Sequence, residues 1–223
     1  MADADLVMLF GSRSLIRDAS FFGSIHAAFP HAIVAGCSTA GEIAGTHVSD
    51  HTLVCTAVSF ARTNCRMASM RVASPADSFA VGVELASRLS APDLRHVLVF
   101  SDGLHVNGTE LVNGLQSGVP AQIALSGGLA GDGERFAETY VIADGQPVEK
   151  HVTAIGLYGD ALSIGCGSFG GWDPFGPERL ITRARGNILY ELDGHSALDC
   201  YKRYLGDYAK ALPASALLFP LAI

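Results

Sequence analysis

Short apolar runs alternate with stretches of helical spacing along most of the chain. "LVMLF" (6–10) reads as a buried strand. Leu15, Ala19, Phe22, Ile25 or His26, and Phe29 then recur at helical spacing, which predicts a helix over 14–29 ended by Pro30. "AIVAG" (32–36) is the next strand, and "TLVCTAVSF" (52–60) and "CRMASMRV" (65–72) read as longer strands, expected to be antiparallel neighbours. Asp77 is placed to cap a helix to about Leu89, with Phe79, Val83, Ala86 and Leu89 on its inner face. "HVLVF" (96–100), a helix over 109–115 and "AQIAL" (121–125) repeat the strand–helix–strand rhythm. "TYVIADGQPV" predicts a hairpin turning at Asp144-Gly145. "HVTAIGLYG" and "LSIGCG" read as two further strands, and "LITRARGNILYEL" as a hairpin turning near Gly186-Asn187. A last helix starts near Ser196, with Ser196 and Asp199 as a capping box and Ala197, Leu198, Tyr201, Tyr204, Leu205 and Tyr208 as a packing stripe.

A shift of 90 residues lays "VMLFGS" (7–12) on "VLVFSD" (97–102) and "IVAGCSTAGE" (33–42) on "IALSGGLAGD" (123–132). Eight residues more bring "VCTAVSF" (54–60) onto "VTAIGLY" (152–158). Several elements keep their order, so the expected fold is α/β (α+β): two similar strand–helix–strand units with mixed sheets, internally duplicated over about 6–72 and 96–166. Each unit ends in a turn of small residues closed by an acid, Glu42 or Asp132. Gly36 and Gly41 have the spacing of a phosphate loop, but Glu42 and Ile43 stand where Lys and Ser/Thr are required. Small residues let a backbone approach a ligand and expose N–H groups. In open α/β sheets, ligands lie beyond the carboxyl ends of the strands. The candidate ligand-binding set is therefore Cys37, Ser38, Thr39, Gly41, Glu42, Ser126, Gly127, Gly128 and Asp132. The amides and the Ser38 and Thr39 hydroxyls would hold an anionic oxygen, and the two acids an amine. Trp172, in the loop "GGWDPFGPE", is added as a wall of the cavity.

Composition narrows the function classes. A formal charge of -7 argues against nonspecific nucleic-acid binding. No apolar run reaches the ~18–20 residues of a membrane span, and "MADADLVMLF" lacks the basic start of a signal peptide. Five cysteines without a C-x-x-C fit reduced thiols in the cytoplasm and argue against a zinc site. Enzymatic activity is not expected, because Cys37, the one nucleophile at a turn, has no base tied to it by any signature. Among the histidines, His105 lies just beyond a strand's carboxyl end and is placed for a cleft.

"GCSTAGEI", "SGGLAGDG" followed by Phe136 and Thr139, "FGGWDPFGPERLITRARGNILYELDG" and "ALDCYKRYLG" resemble the FIST (F-box and intracellular signal transduction) sensory domain over about residues 5–210. The resemblance implies a cytoplasmic small-molecule sensor. It implies an amino-acid-like ligand or, as the alternative, a haem-based nitric-oxide sensor; an enzyme using Cys37 is a further alternative. It also implies a signalling partner such as a histidine kinase or diguanylate cyclase, with no cofactor expected unless haem. On this reading residues 1–195 form the N-type sensory domain, and 196–223, ending in "LPASALLFPLAI", open a C-type subdomain that looks truncated.

Overall fold

The structure, a computed structural model, describes residues 3–18, 20–167 and 171–221. Ala19 of the expected first helix, Gly170 of the tryptophan loop and the last two residues of the terminal run lie outside the described residues. The chain divides into two compact units, 1–166 and 167–223. The division falls inside the 1–195 span expected as one sensory domain.

Mixed helices and strands make the first unit α/β. Strand β1 (Leu6–Ser12) pairs in parallel with β2 (Ile33–Thr39) and antiparallel with β5 (Leu53–Val58). A small hairpin of β3 (Glu42–Ala44) and β4 (His47–Ser49) stands between β2 and β5 in the chain. β6 (Asn64–Arg71) belongs to the second sheet, with β7 (Leu94–Ser101), β8 (Ala124–Leu129) and β11 (His151–Tyr158). The Asp144-Gly145 hairpin, β9 (Val141–Ala143) and β10 (Gln146–Val148), extends the first sheet, both turn residues having positive φ. The sheet orders are β10-β9-β2-β1-β5 and β6-β11-β7-β8. β7 pairs in parallel with β8 and antiparallel with β11. Strands 7–10 and 97–100 therefore hold equivalent places, each between one parallel and one antiparallel neighbour.

Four layers follow from how the strands bury both faces. Leu6, Met8 and Phe10 of β1 point into the same cluster as Leu98 and Phe100 of β7, so the two sheets pack face to face. Phe10 and Phe100 meet edge to face, centroids 5.5 Å apart. The alternate residues Val7 and Leu9 pack with Ile16 of α1 (Arg13–Asp18) and Phe22 of α2 (Phe22–Ala28). Val97 and Val99 pack with Val81, Leu85 and Leu89 of α3 (Ser78–Leu89) and with Leu111 and Leu115 of α4 (Gly108–Gly118). Burial on both faces explains why these strands read as unbroken apolar runs. Each fully buried Leu, Val or Phe contributes ~1.5–3 kcal/mol.

Five expectations are corrected. The helix over 14–29 is two helices, because the core residues Ile16 and Phe22 are six apart and out of phase with a 3.6-residue turn. The break restores both to the sheet. β5 and β6 are not neighbours: β5 pairs with β1 and β6 with β11, so the chain changes sheets between them, with Asp5 accepting the Phe60 N–H at 2.6 Å. The inner face of α3 is Val81, Leu85, Ala86 and Leu89, while Phe79 and Val83 are exposed. Asp77 accepts from Ser74 and caps the short 3-10 turn Pro75–Asp77 ahead of α3. "LSIGCG" finds no partner strand and remains irregular and largely exposed.

The second unit is a three-stranded sheet, β12 (Ile181–Arg185), β13 (Ile188–Leu192) and β14 (His195–Ser196), followed by α5 (Ala197–Leu205). Ser196 caps α5 by accepting from the Asp199 N–H. Of the expected stripe, Ala197 and Leu205 are buried, while Leu198, Tyr204 and Tyr208 are exposed.

Candidate functional site

The parallel pairs β1/β2 and β7/β8 bring their carboxyl ends together. The Gly131 N–H donates to the Ser38 carbonyl (2.8 Å), and the Ala130 N–H donates to the Ser101 carbonyl (2.7 Å). The turns "GCSTAGE" and "SGGLAGDG" are thus in contact. The segment 138–140 joins them: the Ser38 N–H donates to the Tyr140 carbonyl (2.8 Å), and the Tyr140 N–H donates to Ser38 Oγ (3.0 Å).

The two closing acids are buried and occupied from within. Glu42 accepts from Thr39 Oγ1 (2.7 Å), the Thr52 N–H (3.0 Å) and Thr52 Oγ1 (2.8 Å). Asp132 accepts from the N–H groups of Phe136, Ala137 and Glu138 at 3.1, 2.8 and 3.1 Å. Each carboxylate draws a following loop back onto its turn. The Ser38 and Thr39 hydroxyls are likewise spent inside the fold. Cys37 points into the apolar layer between the sheets. Gly41 is half-buried beside Val48 and Asp50. Within β8, Ser126 Oγ meets His96 Nε2 at 2.7 Å, Gly127 lies against the Val99 carbonyl, and Gly128 is exposed with open space at its Cβ position. Trp172 belongs to the second unit, where it is 63% exposed.

A third buried acid emerges from the fold. Asp102, 1% exposed at the end of β7, accepts from five donors. Its Oδ1 takes the Leu104 N–H (2.9 Å), the His105 N–H (2.6 Å) and His105 Nδ1 (3.0 Å). Its Oδ2 takes Thr139 Oγ1 (2.9 Å) and the Lys150 N–H (3.2 Å). Burial pushes this carboxyl up, but the bonds from His105, Leu104, Thr139 and Lys150 outweigh it and hold the carboxyl below its ordinary value. The Gly103 N–H donates to Thr139 Oγ1 (3.0 Å), which binds this loop to the same junction. The signal for Asp102 was the Asp-Gly pair after an apolar strand, a mark of an Asx turn.

The FIST N domain family matches residues 5–195. This chain belongs to that family. An uncharacterized protein of Methanocaldococcus jannaschii is 32% identical over 88 residues, which is 40% of this chain and 17% of that relative's length. FIST domains are a family of signal-transduction sensory domains, and the contacting turns belong to the matched span.

The two alternative readings, an enzyme using Cys37 and a haem sensor, turn on particular side chains. Burial pushes the Cys37 thiol up to about 12, so the thiolate that nucleophilic attack needs is scarce at neutral pH. Haem ligation wants a histidine nitrogen facing an apolar cleft. His96 is 3% exposed between packed strands, with Nε2 on Ser126, and His105 is tied to Asp102 among polar loop groups. Among the described residues, no helix is long and apolar enough to cross a membrane.

Proposed function

We propose that this FIST domain is a cytoplasmic sensory module that binds a small molecule where the carboxyl ends of its two parallel strand pairs meet. The observation that carries the reading is the 2.8 Å bond from the Gly131 N–H to the Ser38 carbonyl, which seats both small-residue turns at one place. Carboxyl ends of parallel strands are where open α/β sheets bind ligands. The free space at Gly128 leaves room for one beside the turn. Glu42 and Asp132 act here as staples that shape the turns, so recognition falls to backbone groups and to side chains of the adjoining loops. An amino-acid-like ligand, and output to a partner such as a histidine kinase or diguanylate cyclase, complete the proposal and rest on the family resemblance.

A thermal-shift screen of the chain against free amino acids and other small metabolites tests this. A ligand present at a hundred times its Kd contributes ~2.7 kcal/mol and raises Tm by about 5–10 °C. Gly128→Phe should abolish that shift while leaving the unliganded Tm unchanged. A library without a single stabiliser, or a stabiliser indifferent to Gly128→Phe, would count against the site.

A further inference from the structure

We propose that His105 is the ligand-contacting acceptor of this site, with its Nε2 taking a hydrogen bond from the N–H of a protonated amine; the inference rests on the ligand-binding reading above. The other four contacts of the Asp102 carboxylate are with N–H and O–H donors, as suits an ionised group that only accepts, so the His105 nitrogen facing it, Nδ1, is assigned the proton. In the neutral form of the ring this bond selects one tautomer, with the lone pair on Nε2. No described residue hydrogen-bonds Nε2, and the His105 side chain is 35% exposed. A buried carboxylate behind an imidazole orients the ring and strengthens the far nitrogen as an acceptor. Its negative charge also favours a cationic donor over an anionic partner.

The position fits the chemistry. Asp102 and Gly103 are bound to Thr139, and the site junction at Ser38 is bound to Tyr140, the next residue. A Cβ at Gly103 would fall on the Ala130 carbonyl, so the loop carrying His105 lies directly against the second small-residue turn. Glu42 and Asp132 are saturated by their own loops. His105 is therefore the base of this junction with an uncommitted lone pair among the described residues. Asp102 is its positioning residue.

Two measurements on the full chain test the proposal. Two-bond 15N–1H imidazole spectra at pH 8 should show His105 as the Nδ1–H tautomer, and Asp102→Asn should mix the two tautomers. An Nε2–H tautomer in the unsubstituted chain overturns the inference whatever the chain binds. Propylamine, propanol and propionate are then titrated as matched probes, following backbone amide shifts. Propylamine should bind at least about tenfold more tightly than the other two, a preference of ~1.4 kcal/mol. His105→Ala should lose that preference with its spectrum otherwise intact, and His105→Gln, whose carbonyl can accept, should keep part of it. Equal binding of propylamine by the unsubstituted chain and His105→Ala overturns the inference and leaves the ligand-binding reading standing. Absence of any shift with all three probes also overturns it. The metabolite screen assumes nothing about amines and decides the broader reading separately.

Discussion

Glu42, Asp132 and Asp102 show how little of a side chain's role its type alone conveys. All three close a strand or turn at the carboxyl end of the sheets, and all three are buried. The sequence marks Glu42 and Asp132 as acids beside small residues, which suits a ligand amine equally well. Only the fold shows that Thr52 and the amides of 136–138 already occupy them. Removing a partner of a buried donor costs ~1–3 kcal/mol. Glu42→Ala should therefore lower the unfolding free energy in urea by about 2 kcal/mol or more, and an unchanged midpoint would show that the Thr52 bonds carry no stability. Asp102 adds a pH signature. Its folded pKa lies below the ordinary value near 3.9. Its contribution is thus complete above about pH 4 and is lost as pH falls toward the depressed folded value. Asp102→Asn should flatten the acid limb of the stability curve below about pH 4, compared by denaturation at stepped pH.

At the scale of elements, legibility tracked locality. The strands β1, β2, β7 and β11 and the Asp144-Gly145 hairpin were readable, because runs buried on both faces and a two-residue turn are local signals. Pairing partners were not: nothing within 52–72 says that β5 and β6 join different sheets. The small-residue turns were legible as a pair, whereas the commitments of Ser38 to Tyr140 and of Asp102 to Thr139 span long stretches of chain. The glycines sharpen the point. Gly36 and Gly127 have φ of 141° and 150°, and a Cβ on each would fall 1.9 Å from the carbonyl of its paired residue, Leu9 or Val99. Two parallel pairs thus carry the same close approach at the same place. Gly36→Ala and Gly127→Ala should each cost about 3 kcal/mol, from strain and forced backbone shift. Gly128→Ala, one residue on, meets open space and should change stability by less than about 0.5 kcal/mol. Chemical denaturation of the three variants side by side checks the contrast, and equal costs would refute it.

The whole molecule sets two units of different character side by side in the chain. Residues 1–166 bury a four-layer core. In residues 167–223, Phe175 is 90% exposed, and Trp172, Leu180, Leu198, Leu218 and Leu221 are also largely uncovered. Arg179 bonds Asp193 and the Tyr204 hydroxyl, and the buried apolar residues of that unit are Ala197, Cys200 and Leu205 among the described residues. Contiguous apolar surface beyond a few hundred Å2 promotes association. The isolated chain should therefore self-associate at high concentration, and residues 1–166 alone should remain monomeric with a single cooperative unfolding transition. Light scattering across a concentration series on both chains separates the outcomes. A monodisperse full chain at every concentration would show that the exposed residues of the second unit are not sticky. Association that persists in residues 1–166 would move its source to the first unit, where the uncovered Ile43 and Val48 of the β3–β4 hairpin are the residues to replace with polar ones.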